Sequence, residues 1–333
     1  MGINDQVAKP LDRLSSLLAD DMAAVDTLLH ERMISEHAPL IPQVTAHLIN
    51  AGGKRLRPLL TIAAARLFDY QGTHHHLLAA TVEFIHTATL LHDDVIDESA
   101  QRRGRPTANL LWDNKSSVLV GDYLFSRSFQ LMVETDNIRV LGILANASTT
   151  IAEGEVLQLT AAQDLKTDEA IYIKVVRGKT AALFSAATEV GAVIAGADET
   201  RIAALRDYGD ALGIAFQIVD DLLDYGGVTE TIGKNVGDDF RERKLTLPVI
   251  KAIAAADAKE RAFWARTIEA GDQREGDLEH ALTLLRKHGA LEAARRDALD
   301  WAARARSALE PVAPGDLRDM LADLADFVTA RVA

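Results

Sequence analysis

Asp93, Asp94 and Asp97 close an apolar run at residues 90–97, Leu-Leu-His-Asp-Asp-Val-Ile-Asp, and on a helix they fall within one arc of roughly 100°. Like charges so close together repel and resist desolvation. A hard divalent cation removes that penalty, because Mg²⁺ takes oxygen ligands and bridges carboxylates to phosphates. The plainer alternative is a solvated acidic helix end. A second copy weighs against it: Asp220, Asp221 and Asp224 repeat the spacing 127 positions later, in Phe-Gln-Ile-Val-Asp-Asp-Leu-Leu-Asp-Tyr at 216–225. Helices facing each other would set six carboxylates around one cleft, suited to several Mg²⁺ ions clamping a diphosphate from both sides. Gly213 shares the face of Asp220 and Asp224 and leaves room there for a helix or ligand.

Cations stand near both triads. Residues 51–58, Ala-Gly-Gly-Lys-Arg-Leu-Arg-Pro, place Lys54, Arg55 and Arg57 just before a helix predicted from Pro58. Such a turn is either an anion site or a basic turn with a glycine cap. Arg102, Arg103 and Arg105 follow the first triad closely, and arginine supplies the bidentate geometry that phosphate favours. Arg177-Gly178-Lys179-Thr180 opens an apolar helix as a surface turn or a ligand contact. Beyond the second triad, Thr231 to Lys244 has loop composition and offers Lys234 and Lys244 to a phosphate in a closing flap. His86, two turns before Asp93, shares the carboxylate face, either to meet a phosphate oxygen or as a satisfied core histidine. His74, His75 and His76 read as a polar loop or helix start, since three successive side chains do not readily converge on a metal.

The elements that must hold these residues are helices. All eight prolines lie outside residues 107–247, and that span is rich in Ala, Leu, Val, Glu and Arg. No stretch alternates with period two between turn signals, so the fold expected is all-α. A chain of 333 residues, 48% hydrophobic, can bury a large core. We read 1–333 as one domain, a single large helical bundle around a central cleft, with residues 1–35 an N-terminal amphipathic helix. Residues 252–333 carry further amphipathic helices and no evident chemistry.

A net charge of −13 argues against a nucleic-acid partner, while basic residues beside the acidic motifs suit a small polyanion. With no cysteine, thiolate ligands and nucleophiles are excluded, which fits a reducing, cytoplasmic setting. The N-terminus lacks the pattern of a signal peptide, and charge interrupts every apolar run.

Gly-Gly-Lys-Arg-Leu-Arg-Pro, the paired Asp-Asp-x-x-Asp motifs, Arg-Arg-Gly, Gly-Lys-Thr and Phe-Gln, in this order over 51–248, resemble the trans-isoprenyl diphosphate synthases. The resemblance is strongest to the long-chain octaprenyl to decaprenyl enzymes. It implies an isoprenoid-synthase bundle, a homodimer and about three Mg²⁺ per site. It also implies that Lys54, Arg57, His86 and Arg103 hold isopentenyl diphosphate, and that Arg102, Lys179, Lys234 and Lys244 hold the allylic diphosphate. Asp93, Asp94 and Asp97 would carry two ions and Asp220, with Asp224 behind it, a third, while Thr180 and Gln217 would face the reacting groups. The implied product is a long all-trans polyprenyl diphosphate for a quinone side chain, released with transient membrane association. Small Ala88 and Thr89, before the first triad, suggest an open product tunnel, with Thr81, Ile85, Phe125, Phe129 and Met132 deeper along it or simply core. A class I terpene cyclase would not need the second diphosphate pocket, and a non-catalytic partner subunit would not need both triads intact.

Overall fold

The computed structural model describes residues 9–226 and 236–332. The chain divides into two compact units, one built from 12–148 and 183–206, the other chiefly from 149–182 and the chain from 207 onward.

In the first unit lie α1 (Lys9–Leu17, which begins in the other unit), α2 (Ala19–Arg32), α3 (Leu40–Ile49), α4 (Leu56–Arg66) and α5 (His74–Ile96). A two-residue hairpin follows, β1 (Gln101–Arg102) and β2 (Arg105–Pro106), paired antiparallel with Arg102 opposite Arg105. Next are α6 (Ala108–Leu111), α7 (Asn114–Glu134) and the start of α8 (Ile138–Ala161). The N-terminal stretch read as one helix is thus two. The break at Leu18 lets Leu14 and Leu18 of one segment and Val25 and Leu29 of the next all turn inward.

α4 is buried from Pro58 to Ala65, and Pro58 is tolerated because it lies in the first turn. α5 is the axis of this unit, packed by α2, α4 and α7. Its run Leu78 to Leu91 is buried with few gaps, and only the last turn reaches the acidic motif. Gly121 and Asp122 lie inside α7.

The three histidines open α5, a helix start as the sequence suggested, and two of them share one acceptor. His75 and His76 do converge, on the Asp21 carboxylate of α2, at 3.2 and 2.8 Å. Neighbours at a helix start diverge by about 100°, but an acceptor lying between them is within reach of both. Arg66 donates to both Asp21 oxygens, at 2.6 and 2.9 Å, so the cluster is a closed network tying α2, α4 and α5. Burial opposes ionisation of Asp21, yet the bonds from Arg66, His76 and His75 hold its carboxyl well below the usual range.

The second unit holds the remainder of α8, then α9 (Glu169–Val176), a π-helical turn at Arg177–Ala181 and the first residue of α10 (Ala182–Ile194). α11 (Glu199–Gly226) enters it at Asp207. α12 (Asp238–Arg241), α13 (Leu247–Ala255), α14 (Ala258–Trp264), α15 (Asp277–Lys287), α16 (Ala290–Ala308) and α17 (Asp316–Ala330) complete it. Asp257 and Glu260 form a reciprocal capping box at α14. Ala290, Ala294, Ala298, Ala302 and Ala305 are the buried face of α16, and their small side chains admit close packing against α13 and α17. Tyr225, Phe240, Trp264 and Leu285 anchor the apolar cluster beneath the end of α11. The fold is all-α, as the sequence predicted, and among the described residues only the hairpin departs from it.

Candidate active site

Each acidic triad is set by its own unit, and the two are supported differently. In the first unit Asp94 is buried, while Asp93 is half-buried and Asp97 is the residue that caps α5. Arg102 of β1 donates from Nε to Asp94 Oδ1 at 2.8 Å, and its Nη2 lies at the same distance. The other oxygen, Oδ2, is buried and accepts no hydrogen bond. A buried carboxylate oxygen left this way is costly unless a cation meets it. Hard oxygen donors, one of them unpaired, fit a divalent ion.

A cluster of arginines faces the same helix. Arg103 sits at the hairpin tip with φ 53°, beside Gly104 at φ 72°, a left-handed pair that turns the chain in two residues. Its guanidinium lies so close to Gly53 that a Cβ at that glycine would stand 2.6 Å from Nη1. Arg57 donates from Nη1 to His86 Nε2 at 3.2 Å and lies 4.4 Å above the Phe184 ring. Arginine can only donate, so Nε2 accepts and the His86 proton resides on Nδ1. Burial, then Arg57, Arg103, Arg102 and Arg55, push His86 well below its ordinary value, so it is neutral. Burial lowers Arg57 to about 10, with Arg103 adding to the shift and Glu83 opposing it. Arg103 is also lowered, by burial and then by Arg102 and Arg55. Cations held against mutual repulsion make a site for an anion.

Lys54 is exposed in the preceding turn, while Arg55, grouped with it by sequence, has another task. Its Nη1 donates to Glu83 Oε1 at 2.8 Å, anchoring the turn to α5. Sequence reasoning passed over Glu83, although an acid one turn before His86 on a largely apolar helix was the available signal. Ala88 is buried, and Thr89 donates its hydroxyl to the His86 carbonyl at 2.8 Å. Thr81, Ile85 and Met132 are buried, whereas Phe129 is exposed.

In the second unit the Gly178–Lys179–Thr180 motif is no surface turn. It forms the π-helical turn after α9, a widening that recurs at functional sites. Gly178 and Gly154 of α8 make this possible, since a Cβ at Gly154 would lie 2.7 Å from the Lys179 backbone nitrogen. Lys179 Nζ meets Glu155 Oε2 at 2.8 Å. Buried Thr180 donates to Gln217 Oε1 at 2.9 Å, and Gln217 Nε2 donates to Asp221 Oδ1 at 2.8 Å. Tyr172 of α9 donates to Asp221 Oδ2 at 2.6 Å. Burial, reinforced by Asp220 and Asp224 and opposed by the Tyr172 and Gln217 bonds, pushes Asp221 up to about 7.

Asp224 accepts the backbone N–H groups of Asp238 and Asp239, at 3.2 and 3.1 Å, and thereby ties α11 to the start of α12. Asp220 is half-buried. Lys244 pairs with Glu242, and Lys234 lies outside the described residues.

The family described as Polyprenyl synthetase matches residues 38–285. The chain is 42% identical over 315 residues to an octaprenyl diphosphate synthase of Haemophilus influenzae, covering 95% of both. Among solved structures, it is similar to a decaprenyl diphosphate synthase from Rhodobacter capsulatus, with TM-score 0.94 and 72% identity over 97% of this chain and 99% of that one. A polyprenyl synthase from Caulobacter crescentus, complexed with calcium and isoprenyl diphosphate, gives TM-score 0.92 and 53% identity over 97% and 98%.

Proposed function

The chain belongs to the polyprenyl synthetase family and is a prenyltransferase, and on that premise we propose that it adds isopentenyl diphosphate repeatedly to farnesyl or geranylgeranyl diphosphate. The product is a long all-trans polyprenyl diphosphate, destined for a ubiquinone side chain. Decaprenyl is the length we favour, on the 72% identity to the decaprenyl enzyme. The observation that carries the reading is the arginine cluster around neutral His86, beside a triad whose Asp94 keeps one oxygen unpaired.

Lys54, Arg57, His86 and Arg103 hold isopentenyl diphosphate, His86 by donating from Nδ1. Arg102, Lys179, Lys234 and Lys244 bind the allylic diphosphate, with Thr180 and Gln217 beside the reacting groups. Asp93, Asp94 and Asp97, and Asp220 with Asp224 behind it, would hold Mg²⁺, which would supply charge neutralisation for the departing diphosphate. No protein nucleophile is needed. The allylic C–O bond breaks, the isopentenyl double bond attacks the cation, and the proton then lost passes to the released pyrophosphate. The residues fix proximity and keep water from the cation. Small Ala88 and Thr89 leave the growing chain a path.

We further propose a homodimer joined through Leu110, Leu111, Leu119 and Val133, exposed along α6 and α7. No helix among the described residues is long and apolar enough to cross a membrane. The absence of cysteine supports a cytoplasmic enzyme, which would release its apolar product by transient contact with a membrane surface.

The test is incubation with farnesyl diphosphate, labelled isopentenyl diphosphate and Mg²⁺, followed by sizing of the dephosphorylated products. A ladder ending in long-chain alcohols, lost with EDTA, is expected. No incorporation from any allylic primer would overturn the proposal.

A further inference from the structure

Tyr172 belongs to none of the motifs that mark the site, yet its hydroxyl is one end of a directional network. It is buried, lies 49 residues from Asp221 in sequence, and donates to Asp221 Oδ2 at 2.6 Å. From the other side Gln217 donates to Oδ1, and Thr180 donates to Gln217 Oε1. The order of donors fixes the orientation of every group. Gln217 turns its amide nitrogen to Asp221 Oδ1, and that leaves Oε1 to accept from Thr180. Asp221 in turn is held from rotating because Tyr172 occupies its second oxygen.

Both supports of Asp221 are neutral, unlike the guanidinium that meets Asp94. Asp220, next in the chain and half-buried, remains the member of the triad available to a cation. We propose that Tyr172 is a positioning residue for prenyl transfer, which holds Asp221 and, through it, the Gln217 amide and the Thr180 hydroxyl in their reactive arrangement. This rests on the prenyl-transfer reading above.

The decisive experiment compares wild type, Tyr172→Phe, Gln217→Leu and the double variant, with the full chain, farnesyl diphosphate, isopentenyl diphosphate and Mg²⁺. Phenylalanine keeps the ring and removes only the hydroxyl. For Tyr172→Phe, kcat should fall about 10- to 100-fold, the scale of losing an outer-shell partner. KM for isopentenyl diphosphate should stay within about twofold, because the grip on that substrate lies elsewhere. In the Gln217→Leu background the same substitution should cost much less, since the group it positions is already gone.

A purely structural role predicts a lowered melting temperature with an unchanged kcat, or full and independent losses in the double variant. Either result overturns the proposal. An inactive wild type would remove the prenyl-transfer reading and this one together, whereas an active wild type with an unaffected Tyr172→Phe overturns this one alone.

Discussion

The two triads share a spacing and differ in what surrounds them. Asp94 is gripped by the guanidinium of Arg102, within a cluster that also includes Arg55, Arg57 and Arg103. Asp221 is gripped by a phenol and an amide, and Asp224 by two backbone N–H groups. The first unit therefore gathers positive charge around Asp94, and the second holds Asp221 with neutral donors. The Asp-Asp-x-x-Asp pattern specifies oxygen donors at a helix end. It does not specify whether cationic or neutral donors hold those oxygens.

Removing the carboxylates is the severest challenge to that contrast. Asp93→Ala and Asp220→Ala should each lower kcat at least about 10³-fold, as loss of electrostatic stabilisation does. Activity above a tenth of wild type in Asp220→Ala alone would show that the second triad does not hold a required cation. A smaller effect separates substrate grip from turnover. Arg57→Ala should raise KM for isopentenyl diphosphate about 10- to 100-fold, equivalent to one charge-assisted hydrogen bond. It should alter kcat far less, opposite to the pattern expected of Tyr172→Phe. Equal changes in kcat for both variants would erase the distinction between an anion grip and a positioning network.

The helical fold was legible because the proline-free span and apolar runs agree with one another. The triads were legible because their repeat is local. The hairpin was not, since two-residue strands show no alternation and Arg103 takes a left-handed backbone that its residue type disfavours. The π-helical turn at 177–181 depends on Gly154 allowing a close approach of backbones, a contact between residues far apart in sequence. Tyr172 was invisible for the same reason. A tyrosine on an amphipathic helix is ordinary until folding sets Asp221 at 2.6 Å. The split of Lys54-Arg55-Leu56-Arg57 into an exposed lysine, an anchoring arginine and a half-buried, ring-stacked arginine also follows from Glu83 and Phe184, which the run itself does not contain.

The finest test of the contrast is pH dependence in metal-free protein. In the unfolded chain Asp221 ionises near 3.9. In the folded chain burial, the first cause, and then the neighbouring Asp220 and Asp224 raise it to about 7 against the bonds from Tyr172 and Gln217. Between those values the folded state holds a proton that the unfolded state has lost. The contribution of this group to stability is thus full below about 4 and declines as pH rises through 7. Asp221→Asn cannot titrate, so its melting temperature relative to wild type should climb between pH 5 and pH 8. Asp94→Asn loses an ion pair with Arg102 instead, and should be destabilised. Parallel pH profiles for wild type and Asp221→Asn would mean that Asp221 is ionised throughout, and that neutral donors hold it as firmly charged as any carboxylate on the surface.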